Sequence, residues 1–182
     1  MKTDPIQEFI IENERNMLIA AAVADGYLAA RKQLVDGFLD RLGATIVKEC
    51  KGWQHEKWRI FISDWEALFY LRKPEWDFHA VALRCFDYGE RMEFGITRDV
   101  GIGKKPFRAE ILAAVKESFP SARARTWWEA VVTMQSPAAD WRKPEVLLRM
   151  HTDPEFLNEV AEQLLTVARP TAAIIDRFAR AK

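Results

Sequence analysis

The chain has 182 residues, 49% hydrophobic, 30% charged and 12% aromatic, with only 8 Gly and 8 Pro, which excludes collagenous, low-complexity and wholly disordered chains. Its 27 basic residues balance 27 acidic ones, so net charge excludes both a strongly basic nucleic-acid binder and an acidic mimic of DNA. At this length folding buries about 70% of the chain's surface, enough for a core without a metal or disulfide staple.

Asp4 and Pro5 form a cap and first-turn proline, and apolar residues recur at helical spacing from Ile6 to Leu42. The pattern predicts one long helix over 4–43, stopped by Gly43 and bent near Asp25-Gly26. Ile10, Met17, Ala24 and Phe38, interrupted by Arg31, form a heptad-like row that would suit a homodimer seam. The plainer reading is a helix lying across its own sheet.

From Ala44 to Arg98 the period shortens. Thr45–Cys50, Lys57–Ile62, Glu66–Arg72, Phe78–Phe86 and Arg91–Arg98 read as four or five strands. Asp87-Tyr88-Gly89-Glu90 marks a hairpin, so the expected arrangement over 44–98 is an antiparallel meander. Ser63-Asp64-Trp65-Glu66 competes as a capping box, but the following aromatic run favours a strand.

Arg108–Phe119 reads as a helix stopped by Pro120, and Thr126–Met134 as a further strand. Ser136–Pro144 reads as loop. Thr152-Asp153-Pro154-Glu155 opens a helix to about Ala168, and Pro170 starts the last one. The expected fold is α+β, a single domain over 1–182 with helix, strand and helices filling 107–181.

Cys50 and Cys85 are the only cysteines and read as reduced thiols. The first residues lack the charged-then-apolar pattern of a signal peptide, and no apolar stretch approaches about 20 residues. The expected location is the cytoplasm, away from membranes.

Candidate chemistry is sparse. Asp40 with Glu49-Cys50-Lys51 approximates the acids and lysine that metal-dependent nucleases use to hold a divalent cation and activate water. Asp40 falls on the helix, so a surface-charged strand is the plainer account of 45–51. Gly101-Ile102-Gly103-Lys104-Lys105 lacks the spacing of a phosphate loop and reads as a basic loop. Lys104, Lys105, Arg123 and Arg125, the last two beside Trp127-Trp128, make a local patch that could contact nucleic acid. His55, His79 and His151 have no companions at metal spacing. No catalytic set, metal site or cofactor is predicted.

Seven tryptophans are the most unusual feature. Trp53, Trp76 and Trp141 lie beside predicted loops, so partial exposure and a role in protein binding are expected for them, with simple core filling as the equal alternative. Arg72-Lys73-Pro74-Glu75 recurs as Arg142-Lys143-Pro144-Glu145, each beside a Trp, without wider duplication.

Trp65, Lys73-Pro74-Glu75-Trp76, an alternating strand and Met92-Glu93-Phe94-Gly95-Ile96 resemble the C-terminal accessory region of phage and bacterial PD-(D/E)XK nuclease-superfamily proteins. The resemblance covers under a fifth of the chain and lacks the nuclease core. It implies an accessory module without the chemistry, and no catalytic residue is carried over.

The expected function is a non-enzymatic protein-binding module, in its narrowest form a phage or mobile-element inhibitor of a host CRISPR or restriction complex. The alternatives are a metal-dependent nuclease relative and a nucleic-acid binder using the basic patch.

Overall fold

Asp4 accepts a 2.8 Å hydrogen bond from the Ile6 amide and Pro5 begins helix α1 (Pro5–Ile11), as cap and proline predict. The computed structural model describes residues 4–60, 66–76, 79–86, 91–98, 108–135 and 138–179. The chain breaks its helix at 12–13, not at Gly26. Asn13 is extended, its side chain accepts from the Asn16 amide at 2.9 Å, and α2 (Glu14–Glu49) runs on from there.

Helix α2 spans 36 residues, about 54 Å. It passes through Gly43 and absorbs Thr45–Glu49, so the strand expected over Thr45–Cys50 is helix. The β-branched residues are overruled by packing. Ile46 continues the buried stripe Phe38, Leu39, Leu42 at helical spacing and is fully enclosed. Gly43 is there because His55 presses against the helix: a Cβ on Gly43 would lie 2.5 Å from the imidazole Cγ.

Strands β1 (Gln54–Ile60), β2 (Glu66–Arg72), β3 (His79–Phe86) and β4 (Arg91–Arg98) form the predicted antiparallel meander. β3 and β4 keep continuous register from His79↔Arg98 to Phe86↔Arg91. The turn residues 87–90 and the competing box at 63–65 lie outside the described residues.

After α3 (Ala109–Ser118) the strand expected over Thr126–Met134 is β6 (Trp128–Thr133), and a further short strand, β5 (Arg123–Arg125), which was not expected, pairs with its outer edge, giving the order β1-β2-β3-β4-β6-β5. A bulge places Glu129 as the extra residue, since Ile96 pairs with Ala130 and Thr97 with Trp128. Gly95 (φ +154°) is required beside it, because a Cβ there would run into the Ala130 carbonyl.

Helix α4 (Pro144–Thr152) was not anticipated, and α5 (Pro154–Ala179) is one helix with Pro170 inside it instead of two. Pro170 forfeits one backbone hydrogen bond on the exposed side. One residue on, the Thr171 hydroxyl donates to the Val167 carbonyl at 2.7 Å. Asp153 caps α5 as predicted, accepting from the Glu155 and Phe156 amides at 2.9 and 3.2 Å.

The core lies between the sheet's inner face and the helices. Val81, Leu83, Met92, Phe94, Ile96, Ala130 and Val132 meet residues of α2, α3, α4 and α5 there. Ala82, Trp128 and Val131, with Tyr70, form a separate small cluster of strand residues on the outer face. The architecture is α+β, with one helix-covered antiparallel sheet.

Candidate protein-interaction surface

Residues 31–46 of α2 supply its buried positions, and none of residues 14–30 is buried. The N-terminal half of the helix is therefore an arm about 25 Å long that leaves the body. Tyr27 marks its root, its hydroxyl donating to the Arg142 carbonyl at 3.2 Å. Helix α1 is tied to the tip, where Asn16 Nδ2 donates to the Phe9 carbonyl at 2.8 Å.

The arm is apolar. Ile6, Phe9, Ile11, Met17, Leu18, Ile19, Val23, Tyr27 and Leu28 are each 42–68% exposed, and among the described residues only Trp127 and Leu148 are comparably exposed large apolar side chains. A solvent-facing helix normally carries charge on its outer side. Between Asn16 and Ala30 the sole charged residue is Asp25. The heptad-like row is thus split: Phe38 and Arg31 are buried, while Met17 and Ala24 stand in the open arm.

This surface was only half legible. The run Met17–Ala24 is apolar around the whole circumference, a signal that it is covered by something, but not by what.

The tryptophans behave otherwise than expected. Trp53, Trp76 and Trp141 are buried, so the exposure predicted for them is overturned. Each loop folds its indole inward. Trp53 and Trp76 meet edge-on with centroids 4.8 Å apart, and Trp76 Nε1 donates to Asp176 at 2.7 Å, an acceptor it shares with Lys73 Nζ at 2.5 Å. Trp141 packs edge-on against Phe38 and donates to the Ala138 carbonyl at 3.0 Å. Side chains of Trp58 and Trp65 lie outside the described residues. Trp127 is exposed.

Arg123 is exposed and Arg125 half-buried, both on the outer sheet face by their pairing with Val131 and Trp128. Arg125 is not a bare cation. Its Nη1 reaches across to both oxygens of the fully buried Glu93 at 2.9 and 3.0 Å, and Arg91 Nε lies 3.7 Å from the same carboxylate. Arg123 and Arg125 stand opposite Val131 and Trp128 in the strand pairing, beside the small apolar cluster. Lys104 and Lys105 lie outside the described residues.

Asp40 and Glu49 do not converge. Nine residues apart on α2, they sit on opposite sides of the helix and about 13 Å apart along its axis. Glu49 instead pairs with Arg169 at 3.0 Å. Among the described residues no group of three His, Cys, Asp or Glu side chains could hold a metal ion. Cys50 is a free thiol whose pKa is pushed up by burial, with Arg169 opposing only in part.

One buried polar pair escaped sequence reasoning altogether. The bulge turns Glu129 toward α3, where its carboxylate accepts from the Arg108 amide at 2.8 Å and lies 3.4 Å from His79 Nε2. Burial alone would raise the Glu129 pKa; the His79 and Arg108 contacts outweigh it and hold the carboxyl below its ordinary value. His79 lies 50 residues and Arg108 21 residues from Glu129, so no local motif announces them. No described helix is long and apolar enough to cross a membrane.

The fold and surface together define an α+β protein with a projecting apolar helical arm. No family model matches the chain, and neither a curated protein nor a solved structure matches it.

Proposed function

We propose that the chain is a protein-binding module and that the arm, α1 with residues 14–30 of α2, is its binding element. The observation that carries this reading is the concentration of nine large exposed apolar side chains on α1 and residues 14–30 of α2, none of which is buried. Leaving such a surface in water is unfavourable, and patches of this kind are characteristic of protein interfaces. The expectation of protein binding is thereby moved from the tryptophans to the arm.

The test is affinity capture from nuclease-treated host lysate with the native chain and with a Leu18→Glu/Val23→Glu variant, both read by quantitative mass spectrometry. Proteins retained by the native chain and lost by the variant support the arm. Capture that the variant leaves unchanged refutes it. A host CRISPR or restriction complex is the narrower proposed partner; purified complexes whose cleavage rate is unaltered by saturating chain would remove that version.

A further inference from the structure

We infer that the sheet face opposite the helices carries a second binding site, formed by Arg84, Arg91, Arg123 and Arg125 around Glu93, which takes the phosphate backbone of a single-stranded nucleic acid. The site is separate from the arm. Three observations carry it.

The first is charge. Strand register puts Arg72, Arg84, Arg91, Arg123 and Arg125 on this face, together with Glu56, Glu66 and Glu93. Glu56 is occupied by Arg72 at 2.7 Å. Five cations against three anions leave the face positive in a chain whose net charge is zero. The opposite sign gathers on the arm, where residues 4–30 carry Asp4, Glu8, Glu12, Glu14 and Asp25 against Arg15. Neutrality of the whole chain therefore conceals a local field that attracts a polyanion to the sheet.

The second is burial. The Glu93 side chain is 0% exposed, whereas Arg91 and Arg125 keep 43% and 32% of theirs in solvent. Arg125 Nη1 donates to both carboxylate oxygens. Arg84 stands directly opposite Glu93 in the β3–β4 register, and Arg91 lies two residues before it on the same side. The carboxylate thus lies beneath the cations, anchoring one guanidinium directly while solvent meets the positive charge. Phosphate oxygens match the planar fork that a guanidinium presents, so a cluster held in this way is set for phosphate before any ligand arrives.

The third is an aromatic neighbour. Arg123 and Arg125 are about 7 Å apart along β5, and the turn to β6 begins at the next residue. That turn exposes Trp127 by 55%. Arg98 fixes it, its amide donating to the Trp127 carbonyl and its Nε to the Thr126 carbonyl, both at 3.1 Å. A row of cations running into a held, exposed indole suits a single strand, whose phosphates take the cations while an unpaired base stacks on the ring.

The experiment follows binding of the full chain to a fluorescein-labelled oligothymidine of about 20 nucleotides by anisotropy. Contacts to about three phosphates predict an affinity that falls about 20-fold between roughly 50 and 200 mM salt. Arg84→Gln with Arg91→Gln should weaken binding about tenfold and flatten the salt dependence, and the exposed Arg123→Gln about threefold. Arg84→Lys with Arg91→Lys should keep most of the affinity, because the charge remains. Trp127→Ala should cost about fivefold or more, and a duplex of the same length should bind more weakly than the single strand. Circular dichroism and Tm establish that each variant is folded.

A native chain that leaves the oligonucleotide free at the lower salt overturns the inference, as does affinity unchanged across the salt range. Folded glutamine variants that bind as the native chain does overturn the arginine site. Pyrophosphate that raises the Tm of the native chain but not of the Arg84→Gln/Arg91→Gln variant, with no oligonucleotide bound, overturns the nucleic-acid occupant in favour of a free phosphate compound. The Leu18→Glu/Val23→Glu chain should bind the single strand as the native chain does, so failure of the arm and failure of this site are read separately.

Discussion

Leu18 and Leu42 lie on one helix and differ only in what surrounds them, so the same truncation at each measures the arm's independence. Leu42 is 0% exposed in the core and Leu18 64% exposed on the arm. Leu→Ala removes about three methylene equivalents at about 0.8 kcal/mol each, and at a fully enclosed site the cavity raises the total to about 3–5 kcal/mol. At Leu18 only about a third of that transfer is available and no cavity forms, so the cost stays below about 1 kcal/mol. For a chain of this length each kcal/mol moves the Tm by about 2–4 °C, which predicts a drop of about 6–20 °C for Leu42→Ala and under about 4 °C for Leu18→Ala. Urea and thermal unfolding followed by tryptophan fluorescence and far-ultraviolet circular dichroism measure both. Equal losses at the two positions would show that Leu18 is packed within its own chain, and the arm reading would fall.

Gly43→Ala should destabilise by about 1–3 kcal/mol despite alanine's better helix propensity, because its Cβ strikes the His55 ring. Adding His55→Ala should recover most of that loss in a double-mutant cycle, and additive losses would contradict the contact. Glu129→Gln should cost about 1–2 kcal/mol at pH 7, where the wild-type carboxylate is charged and hydrogen-bonded. Because the folded Glu129 pKa is depressed, its contribution is complete above the ordinary value of 4.5 and fades as pH falls through the folded one. The gap between wild type and variant should therefore close in acid, and a gap independent of pH would show that the charge is not what matters.

Much of the architecture could be read locally. The Asp4-Pro5 and Asp153-Pro154 helix starts, the four meander strands and the Arg108–Phe119 helix all rest on caps, spacing and alternation within about ten residues, and these signals hold when no distant contact opposes them. Where a distant contact did oppose them, the local signal lost. Ile46 is helical because Leu42 and Phe38 extend one buried stripe, and Gly43 lies within that helix as a glycine because His55 occupies its side-chain space. Trp53, Trp76 and Trp141 sit beside loops yet are buried: the Trp76 indole donates to Asp176 on the distant α5, and the Trp141 indole to the Ala138 carbonyl of its own loop.

By itself, then, the sequence determined the α+β class, the sheet's antiparallel meander and the apolar character of residues 17–24, because periodicity and capping are properties of neighbouring residues. Tertiary structure alone decided which half of α2 is core and which is arm, and which tryptophans reach solvent. It alone brought Glu129 to His79 and Arg125 to Glu93. Those outcomes depend on how far the body extends along a 36-residue helix and on which side chain the β6 bulge turns inward, and neither is encoded in any window short enough to read along the chain.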